Sequence, residues 1–213
     1  HRQRALTWVL RQWSKLGHPV SVGEHPGPWC KAAAVDRALT ATTASPIVIA
    51  DADVWSDNLP AAIAAVHSGA AWAIPHDLVY RLSPDSTSRV LAGLTPRPGL
   101  PLDPDEPTAK HNRPYGARAG GGIVVVRRDV YADCPLDPRF VGWGHEDESW
   151  ALALTCLHGP PGQFPGPLWH LWHPPQPRLS RGCGSATSER LYVQYSKARR
   201  NPDLMRRVMK GDT

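Results

Sequence analysis

Three short constellations in this 213-residue chain carry side chains able to do chemistry. The first is Asp51-Ala-Asp53, which follows directly on the apolar run Ile47-Val-Ile-Ala50. Two carboxylates one residue apart at a strand end can turn toward one bound cation. Hard divalent ions such as Mg²⁺ or Mn²⁺ favour such oxygen ligands and keep positions open for phosphate. The carboxyl ends of strands are also where open α/β sheets gather their ligands. A DxD pair is common in surface turns, so its place after an apolar strand is what gives it weight. The second constellation is Gly142-Trp-Gly-His-Glu-Asp-Glu148, preceded by Phe140-Val141. Acids at a helix start complement the helix dipole, which accounts for the three carboxylates but not for Trp143 between two glycines. Glycine admits close backbone approach, and indole offers a flat apolar face to a sugar or base. A carboxylate held there could take the proton of an attacking hydroxyl. The third is His170-Leu-Trp-His173. Paired histidines are commonly structural, but neutral imidazole also binds transition metals and tilts the choice of ion toward Mn²⁺.

The elements that must position these groups read as an α/β alternation. Leu6, Val9, Leu10 and Trp13 recur at helical spacing over residues 2–13. Residues 19–23 read as a short strand ended by Gly23, and residues 31–44 as an alanine-rich second helix stopped by Ser45-Pro46. The run at residues 47–50 suits a strand buried on both faces, as in a parallel sheet. A helix over residues 58–67 with Pro60 in its first turn follows, then a strand over residues 70–74. Residues 93–122 hold six prolines, six glycines and no period, which predicts a long functional loop. Residues 123–127 form the next strand, residues 146–157 a helix, and residues 159–184 a second Pro/Gly-rich stretch interrupted by Leu168 to His173. One helix over residues 186–210 closes the pattern. It carries Arg190, Lys197, Arg199, Arg200, Arg206, Arg207 and Lys210 against Glu189 and Asp203. Such a face is either simply solvated or a contact for a phosphate backbone.

Composition sets the outer limits. The chain has 24 basic and 19 acidic side chains, a formal charge of +5, and 41% hydrophobic residues, which is ordinary for one globular unit and unlike a disordered chain. No apolar run reaches the roughly 20 residues of a membrane helix, and residues 1–20 lack a signal-peptide core. The expectation is a cytoplasmic protein, monomeric or weakly dimeric, with no membrane contact. Cys30, Cys134, Cys156 and Cys183 show no CxxC spacing, so they read as reduced thiols rather than a zinc site. Nine tryptophans exceed what a core of this size requires, and stacking on sugars or bases is one use for them.

In order along the chain, Asp51-Ala-Asp53, Gly120-Gly-Gly-Ile-Val-Val-Val126, Phe140-Val-Gly-Trp-Gly-His-Glu-Asp-Glu148 and His170-Leu-Trp-His173 resemble the motifs of metal-dependent GT-A glycosyltransferases. The group with the closest look contains the β-1,4-galactosyltransferases, chondroitin-synthase-type domains and polypeptide N-acetylgalactosaminyltransferases. The resemblance covers about residues 2–175, and Gly-Trp-Gly-x-Glu-Asp is its most specific piece. It implies a GT-A, Rossmann-like α/β fold with a mixed, mainly parallel sheet flanked by helices. The domain would span residues 1–185, with a basic helix at 186–213 packed on it or extending from it. It further implies Mn²⁺ or Mg²⁺ held by Asp53, Asp51 and His173, and a nucleotide-sugar donor, most simply a UDP-sugar, bound near Lys31, Asp51, Gly121 and Gly122. Asp147 would be the general base, with Glu146 beside it, and Trp143 and Gly144 would shape the acceptor site. His170 falls where some members have a second metal-binding side chain. Position 145 is His where the family usually has Gly. A GT-A sheet also begins with a strand before the first helix, so such a strand is expected ahead of His1.

The Glu146-Asp147 pair looks like the inverting members of the group. The acceptor is a hydroxyl of DNA (a hydroxymethylated pyrimidine, for instance), of a protein or of a glycan. Alanine, arginine and proline usage suits a GC-rich bacterial or phage genome. Two rivals remain at this level. A non-catalytic carbohydrate-binding module explains the tryptophans without needing the metal set. A metal-dependent phosphoesterase or nuclease explains the acids and histidines without needing Gly-Trp-Gly.

Overall fold

A computed structural model of the chain describes residues 1–111, 122–174 and 185–212. The architecture turns on four strands whose side chains alternate between two cores. β1 (Ile47–Ala50) and β3 (Trp72–Ile74) both pair antiparallel with β6 (Ile123–Val126), which lies between them. β7 (Gly162–Gln163) joins β3 in parallel, giving the order β1-β6-β3-β7. β6 is Ile-Val-Val-Val and buried throughout. Val124 and Val126 enter one hydrophobic cluster while Ile123 and Val125 enter the other, as the two-residue period of a strand demands.

The first cluster is roofed by α2 (Lys31–Leu39), α5 (Arg128–Asp133), α6 (Glu146–His158), α7 (Ala186–Ala198) and α8 (Pro202–Lys210). The second lies under α1 (Arg2–Ser14), α3 (Leu59–His67) and α4 (Pro84–Leu91). Beside those helices sits a second sheet with the order β2 (Val54–Trp55), β8 (Pro167–His170), β4 (Leu78–Arg81), β5 (Lys110–His111). In α1 the buried residues are Ala5, Val9 and Trp13, four apart; Val9 and Trp13 belong to the expected stripe, Ala5 takes the next place, and Leu6 and Leu10 are only half-buried. No described helix is long and apolar enough to cross a membrane.

The molecule is thus a single α/β domain, and five expectations about its elements need correction. Among the described residues the pairings are mainly antiparallel, not mainly parallel: only β3–β7 and β4–β8 run the same way. An unbroken apolar run reports burial on both faces but carries no information on strand direction. Residues 19–23 form no strand. A Cβ on Gly23 would lie 2.2 Å from the Ala34 carbonyl oxygen, so this segment packs on α2 instead of finding a sheet neighbour. The second helix stops at Leu39, short of the expected 44. The last helix is two: Asn201 accepts a hydrogen bond from the Leu204 amide and Pro202 takes the first helical position, so a new helix starts where proline could not continue the old one. The expected loop at 93–122 contains β5 and a bridge from Leu82 to Leu102, and its residues 112–121 lie outside the described ones. α4 has a plain start signal in the sequence: Ser83 caps it by accepting from the Ser86 amide, and Pro84 follows.

The C-terminal helices belong to the core and do not project from it. Leu191, Tyr195, Ala198, Met205 and Val208 share the first cluster with Ile47, Ile49 and Trp150. Tyr195 donates to Asp137 at 2.8 Å, and Arg139 donates to the Val208 carbonyl at 2.5 Å. Met205 is fully buried. Met205→Ala is therefore expected to lower the unfolding free energy by about 2–5 kcal/mol in urea titrations. Arg207→Ala, on the exposed side of the same helix, should change it by less than about 0.5 kcal/mol.

Candidate functional site

β1 delivers its last residues to the site because its end is locked to a glycine. The Asp51 amide donates to the Gly122 carbonyl at 2.9 Å. Gly122 has φ +96°, and a Cβ there would lie 2.6 Å from Leu168 Cδ2. Only glycine combines that backbone angle with so close an approach to β8. Two residues on, the Asp53 carbonyl accepts from the Leu171 amide at 2.8 Å, and Val54 sits opposite His170 across the β2–β8 ladder. That register is what carries His170 at the end of β8, and His173 three residues beyond it, to Asp53.

Two groups of side chains result. In the first, His173 Nε2 lies 3.1 Å from Asp53 Oδ2 and His170 Nε2 lies 3.9 Å from Asp53 Oδ1. One ligand atom from each of the three residues falls within 4.8 Å of the others. His173 Nδ1 is 2.9 Å from the Pro174 carbonyl and 3.4 Å from an Arg2 guanidinium nitrogen, and its Nε2 is the ring atom that faces Asp53. Burial pushes the His170 pKa down to about 4, despite the nearby Asp53 charge, so this imidazole is neutral and ready to act as a ligand. His173 is raised by its hydrogen bond to Asp53, against the effect of burial. Burial raises the Asp53 carboxyl, but the His173 hydrogen bond and the positive charges of His173 and Arg2 beside it bring it below the usual carboxylate value. One carboxylate and two imidazoles form a donor set that fits a borderline divalent cation, with coordination positions left for other ligands.

In the second group, the Lys31 ammonium donates to Asp51 Oδ1 at 2.7 Å and to Asp147 Oδ1 at 2.8 Å. Its side chain is only 8% exposed. Burial alone would lower the Lys31 pKa; the charges and hydrogen bonds of Asp147 and Asp51 reverse that and raise it. Asp51 is raised by burial and by the charges of Asp147 and Asp53, with Lys31 opposing. Lys31 is the first residue of α2, Asp51 follows β1, and Asp147 is in the first turn of α6, so one ammonium joins three elements.

The loop into α6 turns three times through positive φ, at Gly142 (+84°), Gly144 (+120°) and His145 (+68°). The Gly144 amide donates to Glu146 Oε2 at 2.8 Å, and the Gly142 amide donates to the Trp29 carbonyl at 2.7 Å. Trp29 and Trp143 are 50% and 38% exposed, and they precede Lys31 and Asp147 by two and four residues along the chain. Glu146 is raised to about 7 by burial and by the Asp147 charge, with Lys31 opposing.

Of the residues singled out in the sequence, Asp53 and His173 come together, and His170 joins them. Asp51 does not: it is bound to Lys31 and stands outside the Asp53–His170–His173 cluster, because the turn after the strand end does not keep both carboxylates facing β8. Lys31 is committed to two carboxylates rather than projecting free toward a ligand. Gly122 abuts Asp51 as described, while Gly121 lies outside the described residues, as do Gly120 and Cys183. Asp147, Glu146, Trp143 and Gly144 share one loop and helix start. Sequence reasoning passes over Trp29 as a site residue. Its place two residues before Lys31 is the available signal. No protein-family model, curated protein or solved structure matches the chain.

A carboxyl whose folded pKa lies above its unfolded one keeps its proton while the unfolded chain ionises, so stability falls as pH rises through that interval. For Glu146 the interval runs from 4.5 to about 7. Glu146→Gln, which cannot ionise, should match the parent at the acid end and exceed its unfolding free energy by about 1–3 kcal/mol above pH 7. Urea titrations at pH 4.5, 6 and 8 measure the gap, and a gap independent of pH contradicts the assignment.

Proposed function

We propose that the chain is a metal-dependent glycosyltransferase of the GT-A kind, moving a sugar from a nucleotide donor, most simply a UDP-sugar, to an acceptor hydroxyl. The observation that carries this reading is the meeting, at one strand end, of the Asp53–His170–His173 donor set and the Lys31-bound pair Asp51 and Asp147. A phosphoesterase could use the donor set, but it leaves the Gly142-Trp143-Gly144 turn beside Asp147 without a task.

Asp53, His170 and His173 would hold Mn²⁺ or Mg²⁺. Such an ion supplies positive charge against the negative charge that develops on a departing diphosphate. The chain's own residues do the rest. Trp143 offers an apolar face on which an acceptor ring can lie, and the Gly144 turn lets it approach the backbone. Lys31 fixes Asp147 through Oδ1, leaving Oδ2 for the acceptor hydroxyl. As the acceptor oxygen bonds to the sugar C1, its proton passes to Asp147 and the bond from C1 to the diphosphate oxygen breaks, its electron pair leaving with the nucleoside diphosphate. Asp51, on the other side of the same ammonium, keeps Lys31 from swinging away. A base opposite the leaving group delivers inversion at C1.

Incubation with Mn²⁺ and a panel of UDP-, TDP- and GDP-sugars should release the free nucleoside diphosphate from at least one donor. Asp53→Ala should abolish the dependence on Mn²⁺. Asp147→Asn should lower the rate by about 10²–10⁴-fold while leaving donor binding by calorimetry unchanged. Nucleotide release that Asp147→Asn leaves intact removes Asp147 as the base. Anomeric proton NMR of the product should show the configuration opposite to that of the donor, and a retained configuration contradicts inversion with Asp147 as the base.

A further inference from the structure

His145 is the only non-glycine among the described residues with a positive φ, at +68°. An L side chain is strained there and glycine is not, so the position carries a side chain against its backbone preference. Strain of this kind persists where the surroundings fix it, and it clusters at functional sites. The imidazole is fixed twice: Nδ1 lies 2.9 Å from Glu148 Oε2, and the ring stacks on Tyr192 of α7 with centroids 4.4 Å apart and planes 13° from parallel. Among the described residues its buried Nε2 has no hydrogen-bond partner, and Glu148 is the ring's polar anchor. The His145 carbonyl accepts from the Ser149 amide at 2.9 Å, the first hydrogen bond of α6. Asp147 sits two residues on, in that same turn.

We infer that His145 is a positioning residue for Asp147: clamped between Glu148 and Tyr192, it sets the angle at which the chain enters α6, and with it the place where Asp147 meets Lys31. The inference rests on the reading of Asp147 as the base, but its geometric half stands apart from any activity. Glycine at 145 would adopt the backbone angle freely and lose both clamps. Tyr192 acts through its ring, so phenylalanine should replace it and alanine should not.

The experiment compares His145→Gly, Tyr192→Ala and Tyr192→Phe with the parent chain. Three readouts serve: thermal melting, Mn²⁺-dependent UDP release from UDP-glucose, UDP-galactose and their N-acetylamino analogues, and the ¹⁵N-detected signal of the buried Lys31 ammonium. His145→Gly is expected to melt at the parent temperature or above, because the strain is gone. It should nonetheless release UDP on the order of tenfold more slowly at unchanged donor KM, as a displaced base does, and shift or broaden the Lys31 signal. Tyr192→Ala should reproduce the slower release and the altered signal, and Tyr192→Phe should behave as the parent. The proposal is overturned if His145→Gly keeps both the rate and the Lys31 signal, if it melts well below the parent, or if the two Tyr192 variants behave alike. Should no UDP-sugar be turned over by the parent, the glycosyltransferase reading fails, and the Lys31 signal alone decides whether His145 positions Asp147.

Discussion

One buried ammonium holds the site together. Lys31 is almost sealed from solvent, and its two ion pairs reach Asp51 and Asp147 from different elements. A buried charge stripped of water is tolerable only when opposite charges and hydrogen bonds replace the solvent. The two carboxylates have the reciprocal need, because without the lysine they would face each other across a low-dielectric gap. The three groups therefore stabilise one another as a unit, and the first turn of α2, the end of β1 and the first turn of α6 cannot drift apart without exposing an unpaired charge. Such a unit is weak as a source of net stability and strong as a constraint on register.

The sheets place a second constraint on the same spot. β6 feeds two hydrophobic clusters at once, so neither layer can shift without disturbing the other. Gly122, just ahead of β6, touches both the Asp51 amide and Leu168 of β8. The donor set on the Asp53 side and the ion pairs on the Lys31 side are therefore indexed to one strand end by backbone contacts, and the side chains inherit that placement.

Much of this is legible in the sequence where local chemistry suffices. The helix α1, the strand after Ser45-Pro46, the all-apolar β6 and the acidic start of α6 follow from periodicity, turn residues and dipole complementarity, and the structure has each of them, though α1 buries Ala5 where Leu6 and Leu10 are expected. The convergence of Asp53 with His173 is implied by a family likeness; the ladder register between Val54 and His170 is its physical cause. What local pattern does not convey is pairing. Strand direction depends on which neighbour arrives, so a parallel sheet is expected around β1, yet β6 runs against it. The segment with Val20 and Val22 looks like a strand but has no pairing partner among the described residues, and Asn201-Pro202 is easily overlooked because the basic residues on both sides make one continuous pattern. The commitment of Lys31 to Asp51 and Asp147 is equally invisible, since the three lie far apart along the chain.

The position of β8 has a consequence for how the protein comes into being. β8 is inserted between β2 and β4, and His170 at its end and His173 just beyond it meet Asp53 only when that insertion is complete. Contacts between such distant stretches of chain form late, after the entropy of closing the intervening loop has been overcome. The Asp53–His170–His173 cluster is therefore a product of long-range closure, and until β8 is seated its three side chains stay scattered along the chain.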